Sequence, residues 1–171
     1  MSEELQNANW YYVAGTEYSD AFHILILQFD VLTDGWKKQI QRPSYYCAGL
    51  AIESFLKAYL TLEKVEFPNK AHKGHDLKHL ISLDKQGLQT FFALDDADLE
   101  QIYILNERYY DHETYGKDDL RYGNKGGMRR SPHPDNLDRI LRSIGKRLFS
   151  ALLKRFSEEK QLRDGAGSSA R

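Results

Sequence analysis

Apolar residues recur every three or four positions through most of this chain, and only four prolines punctuate it. That period belongs to the helix; a half-buried strand would alternate every second residue. The pattern predicts an all-α domain. At 171 residues the chain has the usual size of one domain, enough to bury one core and short for two.

Five helices are expected. The first spans about residues 9–33, where Trp10, Ala14, Tyr18, Ala21, Leu25 and Phe29 fall on one stripe, and where Gly15 costs about 1 kcal/mol relative to Ala. The second begins after "RPS", with Pro43 in its first turn, and reaches about Lys64. Its apolar residues lie nearly all round, so it is predicted to be central, with Ala48, Ala51 and Ala58 giving neighbours a low surface for close approach. Glu53 and Lys57 stand i, i+4 in the favourable orientation, which reads as a stabilising pair rather than a site.

After the loop "VEFPNKAHKG", Asp76 is suited to cap a short third helix, "LKHLISL". A fourth starts near "DDAD", whose carboxylates suit a helix N-terminus, and runs through "LEQIYILNERYY". A loop of about twenty residues rich in Gly, Arg and Tyr follows; loops this long in compact domains are usually functional or mobile. The fifth helix runs from "PDNLD" to about Glu159. Leu137, Leu141, Ile144, Leu148 and Leu152 face the core, and Arg139, Arg142 and Lys146 line another face. One domain over 1–159 and a disordered C-terminal tail over 160–171, ending in the small polar run "RDGAGSSAR", complete the reading.

The N-terminal residues are acidic and polar and lack the basic start and apolar run of a secretory signal. The longest apolar stretch is broken by Glu53, Ser54 and Lys57, and falls short of a bilayer span. A cytoplasmic protein without membrane contact is therefore predicted. The single Cys47 cannot form an internal disulfide and reads as a small buried side chain.

The net charge of −1 is unevenly spread. From Lys117 to Phe156 stand eleven Lys and Arg against four Asp, so the remainder of the chain is acidic. Such a basic region either faces water or meets phosphate or an acidic partner.

The combination of "CAGLAIESFLKAYL", "KGHDLKHL", "ILNERYY" and "LRYG", in this order, resembles the HEPN domain (higher eukaryotes and prokaryotes nucleotide-binding). The resemblance covers roughly Trp10 to Phe156, and its most specific element is the pair "AxExxLKA" and "GHDL" at this separation. It implies an antiparallel bundle of four to five helices and a homodimer. It also implies one of two activities. Many HEPN proteins are metal-independent endoribonucleases of toxin–antitoxin and defence systems, pairing Arg and His from an Arg-x(4-6)-His motif. Others lack the motif and bind nucleotides or proteins.

The chemistry of the motif is clear: His serves as acid or base near neutrality, and Arg stabilises the charged phosphorane. No histidine here has an arginine at that spacing. Two shorter pairs stand as catalytic candidates, Arg108 with His112 in "RYYDH" and Arg129 with His133 in "RRSPH", each at i, i+4. Metal-independent ribonuclease is thus the alternative function.

The first reading is a binding module for a nucleotide, RNA or a protein partner, acting through the basic loop at about 117–133 and the fifth helix. In "LRYGNKGGMRR" glycines leave backbone N–H groups accessible, while Arg121, Lys125, Arg129 and Arg130 supply charge for phosphates. Tyr115 or Tyr122 could stack on a base. Arg121 and Tyr122 also match the "RY" after the fourth helix in non-catalytic HEPN members, although Gly123 stands where that family often has Pro. A third reading is a partner-binding bundle without ligand.

No Walker loop, GxSxG elbow, HExxH or paired Cys occurs. His72, His75 and His79 would suit a metal only if all lay on one helix, and Asp76 is placed to start the helix between them; neither a metal nor a cofactor is expected.

Overall fold

The second long helix organises the molecule. In the computed structural model, which describes residues 1–29, 31–68, 72–109 and 131–168, it is α2, Asp34–Leu62. Ala48, Ala51, Ile52, Phe55, Leu56, Ala58, Tyr59 and Leu60 are all buried, so α2 is covered from nearly every side, as the pattern predicts. Around it lie α1 (Glu3–Leu27), α3 (Leu77–Leu83), α5 (Asp96–Tyr109) and α6 (Pro134–Ser168), with α4 (Lys85–Phe92) packed against α3 and α6. One 3-10 turn, His72–His75, leads into α3. Among the described residues there are six α-helices and no strand, and one contiguous core cluster takes side chains from all six helices.

The first helix differs from its expected span and face. It starts at Glu3 because Ser2 Oγ accepts from Leu5 N–H (3.3 Å) and because Glu3 and Glu4 suit the positive end of the helix dipole. Its buried face is Leu5, Ala8, Gly15 and Phe22; Trp10 and Tyr18, expected in the core, are exposed. The cause is Gly15. A Cβ there would stand 2.6 Å from the Phe55 ring, so the absence of a side chain is what lets α1 approach α2.

The second helix begins at Asp34, well before the expected start around "RPS", which places Pro43 inside it. Proline supplies no N–H to the helix ladder. Packing outweighs that loss: Ser44 and Tyr45 are buried, Ser44 Oγ donates to the Gln41 carbonyl (2.8 Å), and Tyr45 OH donates to the Pro132 carbonyl (2.9 Å).

Both α3 and α5 lie where expected. Asp76 Oδ1 accepts from Lys78 N–H (3.0 Å) and His79 N–H (3.3 Å), capping α3. At the start of α5, Asp95 Oδ1 accepts from Asp98 N–H (2.8 Å). Between them α4 is an additional helix, begun by Asp84 accepting from Gly87 N–H (3.1 Å) and ended by Ala93 in the left-handed conformation. The five core residues assigned to the last helix are buried on α6. That helix runs on to Ser168, past the expected end near Glu159. Glu159 accepts from Ser2 N–H (3.0 Å) and Ser2 Oγ (2.5 Å), which fastens the start of α1 to α6.

Among the described residues no helix is long and apolar enough to cross a membrane. Cys47 is half-buried, and burial raises its thiol pKa, which lowers the thiolate fraction a nucleophile would need.

Candidate functional site

Two polar arrangements stand out, one buried and one on the surface. The buried one joins three of the motif segments. Glu53 and Lys57 are only 5% and 7% exposed, and Lys57 Nζ donates to Glu53 Oε1 at 2.6 Å. His75, 22 positions along the chain, places Nδ1 3.1 Å from both Glu53 oxygens. A carboxylate only accepts, so Nδ1 carries the proton shared in this contact. One residue on, Asp76 caps α3 and also accepts from Asn106 Nδ2 (3.0 Å), while Asn106 Oδ1 accepts from Leu77 N–H (2.8 Å). Asn106, 3% exposed, thus stitches α5 to the entry of α3.

A network of this kind rigidifies the meeting of α2, α3 and α5, because each buried polar atom would be costly without its partner. Chain order concealed His75 and Asn106 as members. A lone Asn among the apolar residues of "YILNERYY" was the available signal for a buried hydrogen-bonding side chain.

The surface arrangement lies on α6. Ser143, Lys146, Arg147 and Ser150 follow one another at i, i+3, i+4 and i+7, share a face, and with Phe91 of α4 line a cleft of about 530 Å³. Arg147 donates to the Phe91 carbonyl (3.3 Å), which ties the guanidinium to α4, and Ser150 Oγ donates to the Lys146 carbonyl (3.0 Å). Lys146 and Arg147 are exposed.

The other basic residues assigned to this helix are engaged within the fold. Arg139 pairs with the buried Asp98 of α5, whose hydrogen bond raises the guanidinium pKa further. Arg142 Nε donates to Asp138 Oδ2 (2.8 Å), and the other oxygen of Asp138 lies 3.1 Å from His23 Nδ1. The basic face therefore divides. Arg139 and Arg142 hold α6 to its surroundings, and Lys146 with Arg147 faces the cleft. Phe91, Ser143 and Ser150 escaped the sequence reading, although the hydroxyls' spacing around Lys146 and Arg147 was there to be seen.

Of the residues named from sequence, Tyr115, Arg121, Tyr122, Lys125, Arg129, Arg130 and His112 lie outside the described residues, as does the side chain of Arg108, whose backbone belongs to the last turn of α5. His133 is exposed just before α6. Its N–H donates to Gln101 Oε1 (2.8 Å), its carbonyl accepts from Leu137 N–H (3.1 Å), and Nδ1 lies 3.7 Å from Asp135. Among the described residues no three His, Cys, Asp or Glu side chains are grouped as a metal ion would need. No known protein family, curated protein or solved structure matches the chain.

Proposed function

We propose that this chain is a HEPN-fold binding module that takes a phosphate-bearing ligand, a nucleotide or RNA, on the α6 cleft and the basic loop at about 117–133. The observation that carries the reading is the cleft itself. Arg147 offers planar donors that match phosphate oxygens, Lys146 a mobile point charge, and Ser143 and Ser150 short hydroxyl donors, with the Phe91 side available to a base. Arg121, Lys125, Arg129 and Arg130 supply further charge from the segment leading into α6.

Support for the HEPN reading comes from the meeting of the segments that carry the resemblance. Glu53 and Lys57 of "AxExxLKA", His75 and Asp76 of "GHDL", and Asn106 of "ILNERYY" are distant in sequence and adjacent in space. An all-α bundle around a central helix agrees with that family's architecture. The module acts in the cytoplasm as a homodimer on this reading.

A thermal-shift panel of mono-, di- and triphosphate nucleotides and a short RNA tests the proposal. A ligand present at one hundred times its dissociation constant adds about 2.7 kcal/mol to stability, a shift of several degrees in a domain of this size. No shift from any phosphate ligand would remove the reading.

A further inference from the structure

A second cleft, of about 750 Å³, opens between α1 and the chain that leaves α2. Its volume lies within the range of small-molecule sites, roughly 300–1,000 Å³. Trp10, Tyr11 and Phe67 supply aromatic surface to its lining, beside Asn7, Thr61 and Val65. Trp10 and Tyr11 meet edge to face with ring centroids 5.3 Å apart, and Tyr11 meets Phe67 in the same way at 6.1 Å. The turn that brings Phe67 into place is a helix stop in which Lys64 takes the left-handed conformation, Val65 N–H donates to the Leu60 carbonyl (2.8 Å), and Lys64 N–H donates to the Thr61 carbonyl (3.2 Å). Trp10 is 67% exposed, a large apolar ring that the fold leaves at the surface of this cleft.

Among the described residues the lining carries two carboxylates, Glu4 and Glu66, against one basic residue, Lys64, which is 3.8 Å from the Glu4 carboxylate. The first 29 residues contain no Lys or Arg. The Tyr11 phenol, itself part of the wall, is raised in pKa by burial first and by the charge of Glu53 second. Aromatic faces backed by carboxylates attract cations, and alkylated ammonium groups suit them best because they are weakly hydrated and need no hydrogen-bond acceptors.

We propose that the cleft formed by Trp10, Tyr11 and Phe67, with Glu4 and Glu66 in its lining, binds a small molecule through an alkylated ammonium group. None of the lining residues belongs to α6, so this site stands or falls separately from the phosphate cleft.

Choline is the probe, with 3,3-dimethylbutan-1-ol as its uncharged isostere and ethanolamine as its unmethylated analogue. Trp10 and Trp36 are the chain's two tryptophans, so fluorescence of the Trp36→Phe variant, at constant ionic strength, reports on Trp10 alone. Broadening of the choline methyl resonance by the unaltered full chain provides a second readout. The expected result is saturable choline binding, weakened about tenfold or more in the isostere and in Trp10→Ala, and by a smaller factor in Glu66→Gln. Ethanolamine should bind more weakly than choline. Linear, unsaturable response to choline, equal binding of the uncharged isostere, equal binding of ethanolamine, or unchanged binding in Trp10→Ala would each overturn the proposal.

Discussion

Gly15 on α1 and Phe55 on α2 meet so closely that a Cβ at position 15 would stand 2.6 Å from the Phe55 ring. On its other side the same ring faces Gly145 of α6, where a Cβ would find ordinary contact at 3.4 Å. A buried phenylalanine held between two glycines fixes how near the three long helices come.

Gly15→Ala is therefore expected to destabilise the protein although it improves helix propensity. Alanine gains about 1 kcal/mol in a helix interior, whereas forcing a methyl into a packed contact costs about 1–3 kcal/mol, so the net change is a loss. Gly145→Ala should be neutral or slightly stabilising. Together the two substitutions should cost more than their sum, because Phe55 can yield toward only one side. Urea unfolding of the three variants measures this; a stabilised Gly15→Ala protein would refute the packing account.

The same contact explains why the first helix was only partly legible. Its existence and approximate length follow from the apolar period, but the expected face rested on Trp10 and Tyr18, and the true face uses Ala8 and Gly15 because closeness matters there more than side-chain size. The central helix, its alanine surface and the Glu53–Lys57 pair were readable, since all lie within one period of one helix. The start of α2 was not, because packing around Tyr45 overrides the local penalty of Pro43. Eight-residue α4 was concealed by Gly87, which sits where a Cβ would meet Asp84 and the Tyr59 hydroxyl. On the surface, charge pattern located the basic helix, but only tertiary partners such as Asp98 separate the arginines that hold the fold from the side chains that line the cleft.

Glu53→Ala leaves Lys57 as a buried ammonium without its carboxylate and removes the partner of His75. Breaking one side of a buried ion pair costs about 3–5 kcal/mol. Glu53→Leu with Lys57→Met, which removes both charges, should recover much of that loss. Chemical denaturation of the single and double variants gives the comparison, and equal stability of the two would contradict the pairing.

Alkaline pH should weaken the fold through Tyr59. Its hydroxyl donates to Asp84 Oδ2 at 2.7 Å, and burial, followed by that bond and the Asp84 charge, holds its pKa well above the usual value of 10.0. The unfolded chain loses this proton near pH 10 while the folded chain keeps it, so the contribution is complete below pH 10 and is lost as pH rises beyond it. Tyr59→Phe should lower stability by about 1 kcal/mol at pH 7 and flatten the decline above pH 10. Denaturation at intervals from pH 8 to 11.5 checks both; an unchanged alkaline slope in the variant would exclude Tyr59 as its source.

Binding without cleavage is expected of RNA. Incubation with a labelled oligonucleotide in EDTA should leave it intact at stoichiometric protein. Cleavage that disappears in His112→Ala or His133→Ala would instead make the protein a metal-independent ribonuclease.

The central claim is that Lys146 and Arg147 present a phosphate site on α6, and fluorescence anisotropy of a short labelled RNA against the whole chain tests it most directly. Both side chains are exposed, so Lys146→Ala with Arg147→Ala should leave the unfolding midpoint nearly unchanged. The account predicts that the pair of substitutions weakens binding about tenfold or more at low salt and lowers the slope of log affinity against log salt by roughly 1–2. Binding with unaltered affinity and salt dependence in the doubly substituted protein would contradict it.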